Sequence, residues 1–195
     1  MTGFFRTSKT LLLLSGILVS ACSTVTVQDY AGAEPELEME RFFNGDLVAY
    51  GVVKDWRGRV IRRFQADIDA SWEAGVGTLD EDFLFDDGET DRRVWTLTPT
   101  GEDSYRGTAG DVLGAGELQV AGNAVFLDYV LQIPYGSGSI NVRVDDRMYL
   151  LTPELLLNES SLRKFGFKVG ELLLVIGRRD VMPPLPAAAS FSGSQ

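Results

Sequence analysis

An all-β fold, built as an antiparallel up-and-down barrel of about eight to ten strands, is what the sequence predicts. Three observations carry that prediction. From residue 41 to 181, apolar and polar residues alternate with period two; turn residues interrupt the alternation about every ten positions; and no apolar stripe of helical period runs for any length. A meander of so many strands must dispose of its edges, and closing the sheet does so. An open sandwich is the competing all-β solution, because period two alone separates the two architectures weakly.

The meander opens with Leu47-Val48-Ala49-Tyr50-Gly51-Val52-Val53, and Asp55-Trp56-Arg57-Gly58 has the composition of a hairpin turn. Residues 59 to 71 continue it, with Val60, Phe64, Ala66, Ile68 and Ala70 on one face and Ile61, Arg63, Gln65, Asp67 and Asp69 on the other. Gly75 and Gly77 break that strand. Residues 78 to 85 form the next, Asp86-Asp87-Gly88 turns it into residues 92 to 98, and Pro99-Thr100-Gly101 turns the chain again. Strands over 104–109, 116–120, 124–133 and 139–151 follow, the third after Gly122-Asn123 and the fourth after Pro134-Tyr135-Gly136-Ser137-Gly138. Segments 154–162 and 171–178 finish the series, with at most a short helix near Ser161 to Lys164.

The chain begins with a different grammar. Arg6 and Lys9 form a positive region, Leu11 to Leu18 an apolar one, and Leu18-Val19-Ser20-Ala21-Cys22 a small-residue cleavage site ending in cysteine, the pattern of a lipoprotein signal peptide over residues 1–21. The apolar run is too short for a spanning helix, which needs roughly 20 residues. Cys22 is the single cysteine of the chain, so a disulfide has no partner, and its thiol is the group that lipidation requires. Two or three acyl chains exceed what stable anchoring needs. Ser23 follows, rather than the Asp associated with inner-membrane retention, which points to the periplasmic face of the outer membrane. Residues 22–40 read as a lipidated N-terminus and tether, with a short first helix over Pro35 to Arg41 as the alternative, residues 41–181 as the barrel, and residues 182–195 as a Pro- and Ala-rich disordered tail.

Charge and residue usage exclude several classes. The net charge is −10, and removal of residues 1–21 takes away two positive charges and no negative ones, leaving −12. That balance argues against nucleic acid and against electrostatic adhesion to anionic headgroups, so the lipid is the expected membrane contact. There is no histidine, which removes a Ser-His-Asp triad and His-ligated metals, and no thiol remains once Cys22 is acylated. The glycine-rich stretches lack the Gly-Lys-Ser/Thr of a phosphate loop. No cofactor or metal is expected: Asp80-Glu81-Asp82 and Asp86-Asp87-Gly88-Glu89 lack the alternate-position spacing of a calcium loop and read as a solvated face.

Lipobox Cys22, Phe42-Phe43-Asn44-Gly45, Trp56-Arg57-Gly58-Arg59-Val60, Asp145-Asp146-Arg147-Met148-Tyr149-Leu150, Asn158-Glu159-Ser160 and Lys164-Phe165-Gly166 follow one another in an order that resembles the bacterial lipoproteins of domain of unknown function 3833. The resemblance runs from the lipobox to Arg178. It implies a lipocalin-like barrel and an envelope location, and the frequent proximity of such genes to fatty-acid modification genes implies a lipid-related task. The Gly-x-Trp of lipocalin first strands is absent around Asn44-Gly45-Asp46, so lipocalin ligand residues do not carry over.

Two charges fall on apolar faces. Arg62 shares parity with Val60, Phe64, Ala66 and Ile68, and Asp146 with Ile140, Val142, Val144, Met148 and Leu150. Buried charges need partners, so the two either meet, sit at the barrel mouth or greet a polar headgroup, unless a bulge turns one outward. With Trp72, Trp95 and Tyr129 they form the candidate ligand set; Phe126 is a further aromatic that could line a cavity. Lys164-Phe165-Gly166-Phe167-Lys168 is a basic-aromatic run suited to headgroups, to a plug helix or to a plain strand connection. The adopted reading is a membrane-anchored periplasmic lipoprotein whose barrel binds or carries a small apolar ligand, a fatty acid or lipid. The alternatives are an envelope assembly protein acting through protein partners and a cofactor-free lipid-modifying enzyme. An interior cavity of roughly 300 Å³ or more supports the ligand; a solid interior leaves surfaces.

Overall fold

Ten strands form one sheet that closes on itself in the computed structural model, which describes residues 24–184. The strands are β1 (Gly45–Asp55), β2 (Val60–Glu73), β3 (Val76–Phe85), β4 (Thr90–Gly101), β5 (Ser104–Thr108), β6 (Gly116–Ala121), β7 (Ala124–Tyr135), β8 (Gly138–Thr152), β9 (Leu155–Lys164) and β10 (Phe167–Arg178). Each pairs antiparallel with its sequence neighbour, and β1 pairs with both β2 and β10, so the sheet has no free edge. The closed barrel expected from the alternation is therefore the architecture found. The short helix expected near Ser161 to Lys164 is not: β9 runs through Lys164, because Leu162 keeps its inward place in the ladder opposite Val144 and Gly170.

Alternation places the core inside. Phe64, Ala66, Ile68 and Ala70 of β2 are buried, as are Leu118 and Val120 of β6 and Val142 and Val144 of β8, while their neighbours face water. Leu47 and Leu156 are wholly buried, each contributing about 1.5–3 kcal/mol of transfer free energy. Gly51 sits where a Cβ would lie 2.4 Å from the Phe64 ring, so the absent side chain is what lets that ring lie across the interior.

The two ends of the barrel differ. The β1–β2, β3–β4, β5–β6, β7–β8 and β9–β10 connections share one end, the mouth. At the other end the chain enters through helix α1 (Met39–Phe42), whose Met39 and Phe42, with the following Phe43, are buried as a plug. Phe42 and Phe43 meet edge to face at 5.0 Å, Trp72 Nε1 donates to the Phe43 carbonyl at 2.6 Å, and the Arg178 guanidinium donates to the carbonyls of Arg41 and Asn44.

Residues upstream of the plug are fastened to the barrel wall, which corrects the tether reading over this stretch. A 3-10 turn, Val27–Tyr30, buries Val27; Tyr30 packs between Phe126 and Tyr149 with ring centroids at 5.7 and 5.3 Å; and the Leu37 N–H donates to the Gly122 carbonyl at 2.8 Å. Gly122, at φ +52°, is crossed so closely that a Cβ would lie 2.0 Å from the Tyr30 carbonyl. Mean composition hid three apolar anchors among polar neighbours. At the C-terminus, Tyr50 Oη donates to the Pro183 carbonyl at 3.0 Å and Met182 lies over Gly177, so these two residues of the expected tail contact the barrel; residues 185–195, and Cys22 with residues 1–21, lie outside the described residues.

Candidate functional site

The barrel encloses a cavity of about 100 Å³ between the plug and the mouth, lined chiefly by apolar side chains from Met39 and Phe43 to Leu172 and Leu174. It is smaller than the roughly 300 Å³ of an ordinary small-molecule site and holds about three waters' worth of space. One part of its lining is polar. Glu81, Arg93, Tyr129, Asp146, Asn158 and Ser160 all border the cavity, brought there from five strands.

Register explains the convergence. On β3, Leu79, Glu81 and Phe83 share the inward face; on β4, Arg93, Trp95 and Leu97 do; and Glu81 lies directly opposite Arg93. On β8, Asp146 faces Leu127 on one side and Ser160 on the other. Asp146 Oδ1 accepts from Asn158 Nδ2 at 2.5 Å and from Ser160 Oγ at 2.7 Å, and all three residues are buried. Arg93 is clamped from the β5–β6 loop: its Nε and Nη2 donate to the Asp111 carboxylate at 2.6–3.1 Å, and the loop is itself held to β7 by Leu113 N–H to Val130 O and Gln132 N–H to Asp111 O.

Electrostatics set these groups apart from the surface. Burial pushes the Glu81 carboxyl up to about 7, against the pull of Arg93, with Asp146, Asp111 and Asp80 adding to the rise. Among the described residues no side chain or backbone group donates a hydrogen bond to it. Burial also raises Asp146, opposed by its bonds from Asn158 and Ser160 and by Arg93. Burial works against the Arg93 charge, but the Asp111 bonds outweigh it and the guanidinium stays protonated. Tyr129, raised chiefly by burial, stays a neutral phenol and meets the Trp95 indole edge to face at 5.3 Å. The wall thus offers a fixed cation, a half-buried carboxyl able to hold or release a proton near neutral pH, and the buried carboxyl of Asp146.

Of the five candidate ligand residues, Trp95, Tyr129 and Asp146 meet at this wall. Arg62 does not join them. It lies on the inward face but one rung from the turn, where the ladder slips between Val53 and Lys54, and its Nη2 reaches Asp87 at 2.8 Å and Glu89 at 2.5 Å of the neighbouring hairpin. There the guanidinium covers the Phe85 ring at 3.5 Å, above the Phe64, Phe83 and Phe85 cluster that closes the mouth. Trp72 belongs to the plugged end, against Tyr105 and Gly77, because it lies on the last inward rung of β2, at the end of the strand away from the mouth. Phe126 is on the outer wall beneath Tyr30, on the opposite parity from Val125 and Leu127. The acidic run Asp80-Glu81-Asp82, read as a solvated face, divides: Asp80 and Asp82 face Arg92 outside, and Glu81 turns inward. Glu81, Arg93, Asn158 and Ser160 were all missed, although the parity test that singled out Asp146 reaches each of them once strands are taken residue by residue.

Among solved structures, the chain is similar to the S-type phycobiliprotein lyase CPES from Guillardia theta, with 14% identity and a TM-score of 0.54 over 73% of this chain and 93% of that one. At that identity the likeness shows the fold, a lipocalin-like barrel. A second similarity, to EF1p2_mFAP2b bound to DFHBI, has 10% identity and a TM-score of 0.39 over 73% of this chain and 100% of that one, too low to carry an argument. No curated protein matches the chain. Residues 16–178 match the family described as protein of unknown function DUF3833, and the chain belongs to that family.

Proposed function

We propose that the protein is a lipoprotein of the cell envelope, tied through acylated Cys22 to the periplasmic face of the outer membrane, whose barrel binds or carries a small amphipathic ligand of the fatty-acid or lipid class. The observation that carries the ligand reading is the polar wall in an otherwise apolar interior. Glu81 is a half-buried carboxyl that faces the apolar interior with no hydrogen-bond donor among the described residues; such a group costs free energy that an apolar residue of the same size would not, and such local conflicts mark functional sites. A carboxylic acid headgroup resolves the conflict: its hydroxyl donates to Glu81, and its carbonyl oxygen accepts from Arg93 Nη1, which the Asp111 clamp leaves uncommitted. The alkyl part then lies among Leu79, Leu127, Met148 and Leu174.

The cavity of about 100 Å³ takes only a short chain as it stands. A longer one requires the flexible Met39 and Met148 side chains, and the phenylalanines of the mouth, to give way. The size also supports the assembly reading, in which a filled barrel works through its surface. Titration of the protein with fatty acids of graded length, followed by the fluorescence of Trp95, separates the two. Saturable binding that Ala66→Leu weakens by about tenfold or more, through loss of cavity space, supports the ligand; no binding at any length leaves the assembly reading.

A further inference from the structure

Around the mouth, three neighbouring hairpins carry the exposed aromatic side chains of the described residues. The strand order β2-β1-β10-β9-β8-β7 makes the β1–β2, β9–β10 and β7–β8 connections consecutive on the rim. They present Trp56, Ile61, Tyr135, Phe165, Phe167 and Val169 to solvent, with Phe165 88% exposed. Phe165 and Gly166 both have positive φ, 51° and 83°, the two-residue hairpin turn that Asn-Gly makes without strain. A bulky aromatic there is disfavoured by the backbone, and it is 88% exposed with the Lys164 ammonium over its ring at 5.0 Å, so neither turn chemistry nor the core accounts for it.

Charge follows the same sector. The β1–β2 and β9–β10 hairpins carry Lys54, Arg57, Arg59, Arg163, Lys164 and Lys168 against Asp55 and Glu171, in a chain whose net charge is −10. The overall acidity thus does not describe this face. Arg57 lies over the Trp56 ring at 4.5 Å, pairing a cation with an aromatic as interfacial residues do. The chain's own direction adds an independent observation: Thr24 to Val27 line one groove of the outer wall together with Arg163, Phe165 and Gly166. Cys22 is two residues before Thr24, a reach of at most about 7 Å of chain.

We infer that this aromatic-basic sector of the rim docks on an anionic phospholipid surface, holding the barrel mouth against the bilayer beside its own lipid anchor. The inference rests on the anchoring of Cys22 proposed above. The acyl chains restrict the protein to the membrane plane, and the sector then inserts Trp56, Phe165 and Phe167 at headgroup depth while the lysines and arginines meet phosphates. Docked this way, the mouth faces the phase that holds amphipathic ligands.

The test uses the full chain reconstituted into vesicles of phosphatidylethanolamine and phosphatidylglycerol, part of them brominated on the acyl chain. Trp72 and Trp95 are sheltered by the barrel, so exposed Trp56 is the reporter. Docking predicts that bromolipid quenches an emission component that Trp56→Phe removes. It also predicts that the pair Phe165→Asp and Phe167→Asp, on an exposed turn, abolishes the quenching while the protein stays with the vesicles. Acylated, vesicle-bound protein whose Trp emission ignores bromolipid overturns the docking and leaves the anchor intact. An intact mass without acyl chains overturns the anchor; docking then stands only if the protein still floats with the vesicles and is quenched, and falls if it does not.

Discussion

The plugged end and the mouth of this barrel use similar residues to opposite effect. At the plug, Met39, Phe42 and Phe43 are buried, every neighbouring carbonyl of the entering chain that Arg178 and Trp72 reach is bonded, and the apolar groups stabilise the closed sheet. At the mouth, Trp56, Phe165 and Phe167 contribute nothing to the core, and one of them occupies a strained backbone position. The difference teaches that apolar content alone does not mark structure. What matters is whether the core supplies a partner, and among the described residues it supplies none to Trp56, Phe165 or Phe167.

The largest expected effect lies at the plug. Phe42→Ala should lower unfolding free energy by about 3–5 kcal/mol in chemical denaturation, whereas Phe165→Ala should change it by no more than about 0.5 kcal/mol. Equal costs at the two ends would break the comparison.

A smaller effect sharpens the view of the interior between them. Glu81 holds its proton up to about pH 7 in the folded protein against an ordinary value of 4.5. The folded state therefore binds more protons than the unfolded chain between these values. The stability so gained is complete below about pH 4.5 and is lost as the pH rises towards 7, on the order of 2–3 kcal/mol. Asp146, raised as well, adds in the same direction. The difference in stability between wild type and Glu81→Gln, measured from pH 4 to 8, should show this fall; a flat difference would place Glu81 in contact with water. The smallest effect returns to the rim: Phe165→Asn should stabilise by up to about 1 kcal/mol, by relieving the left-handed backbone, while weakening vesicle docking.

Much of this was legible in the sequence. Strict alternation located all ten strands, since one buried face imposes register, and it put Asp146 inside. Parity also put Arg62 inward, but it carries no information on height along the barrel, so Arg62 and Trp72 were grouped with a cavity that lies between them. Glu81 and Arg93 were hidden within Asp80-Glu81-Asp82 and Arg92-Arg93, runs that look uniformly solvated until each residue is assigned a face. The short helix weighed as the alternative over Pro35 to Arg41 overlaps α1, but four residues have no periodicity that would show them plugging the barrel. The partners of Arg93 and Tyr30 come from loops and straps whose contacts are set by the closed barrel rather than by local pattern.

Native mass spectrometry with lipid extraction, on the full chain purified from its own host, tests the central claim most directly. A stoichiometric amphipathic molecule that is lost in Ala66→Leu and weakened in Glu81→Gln is the result expected from a ligand seated at the polar wall. A clean mass of the protein with only its own acyl chains, unchanged after incubation with envelope lipids and fatty acids, would contradict it.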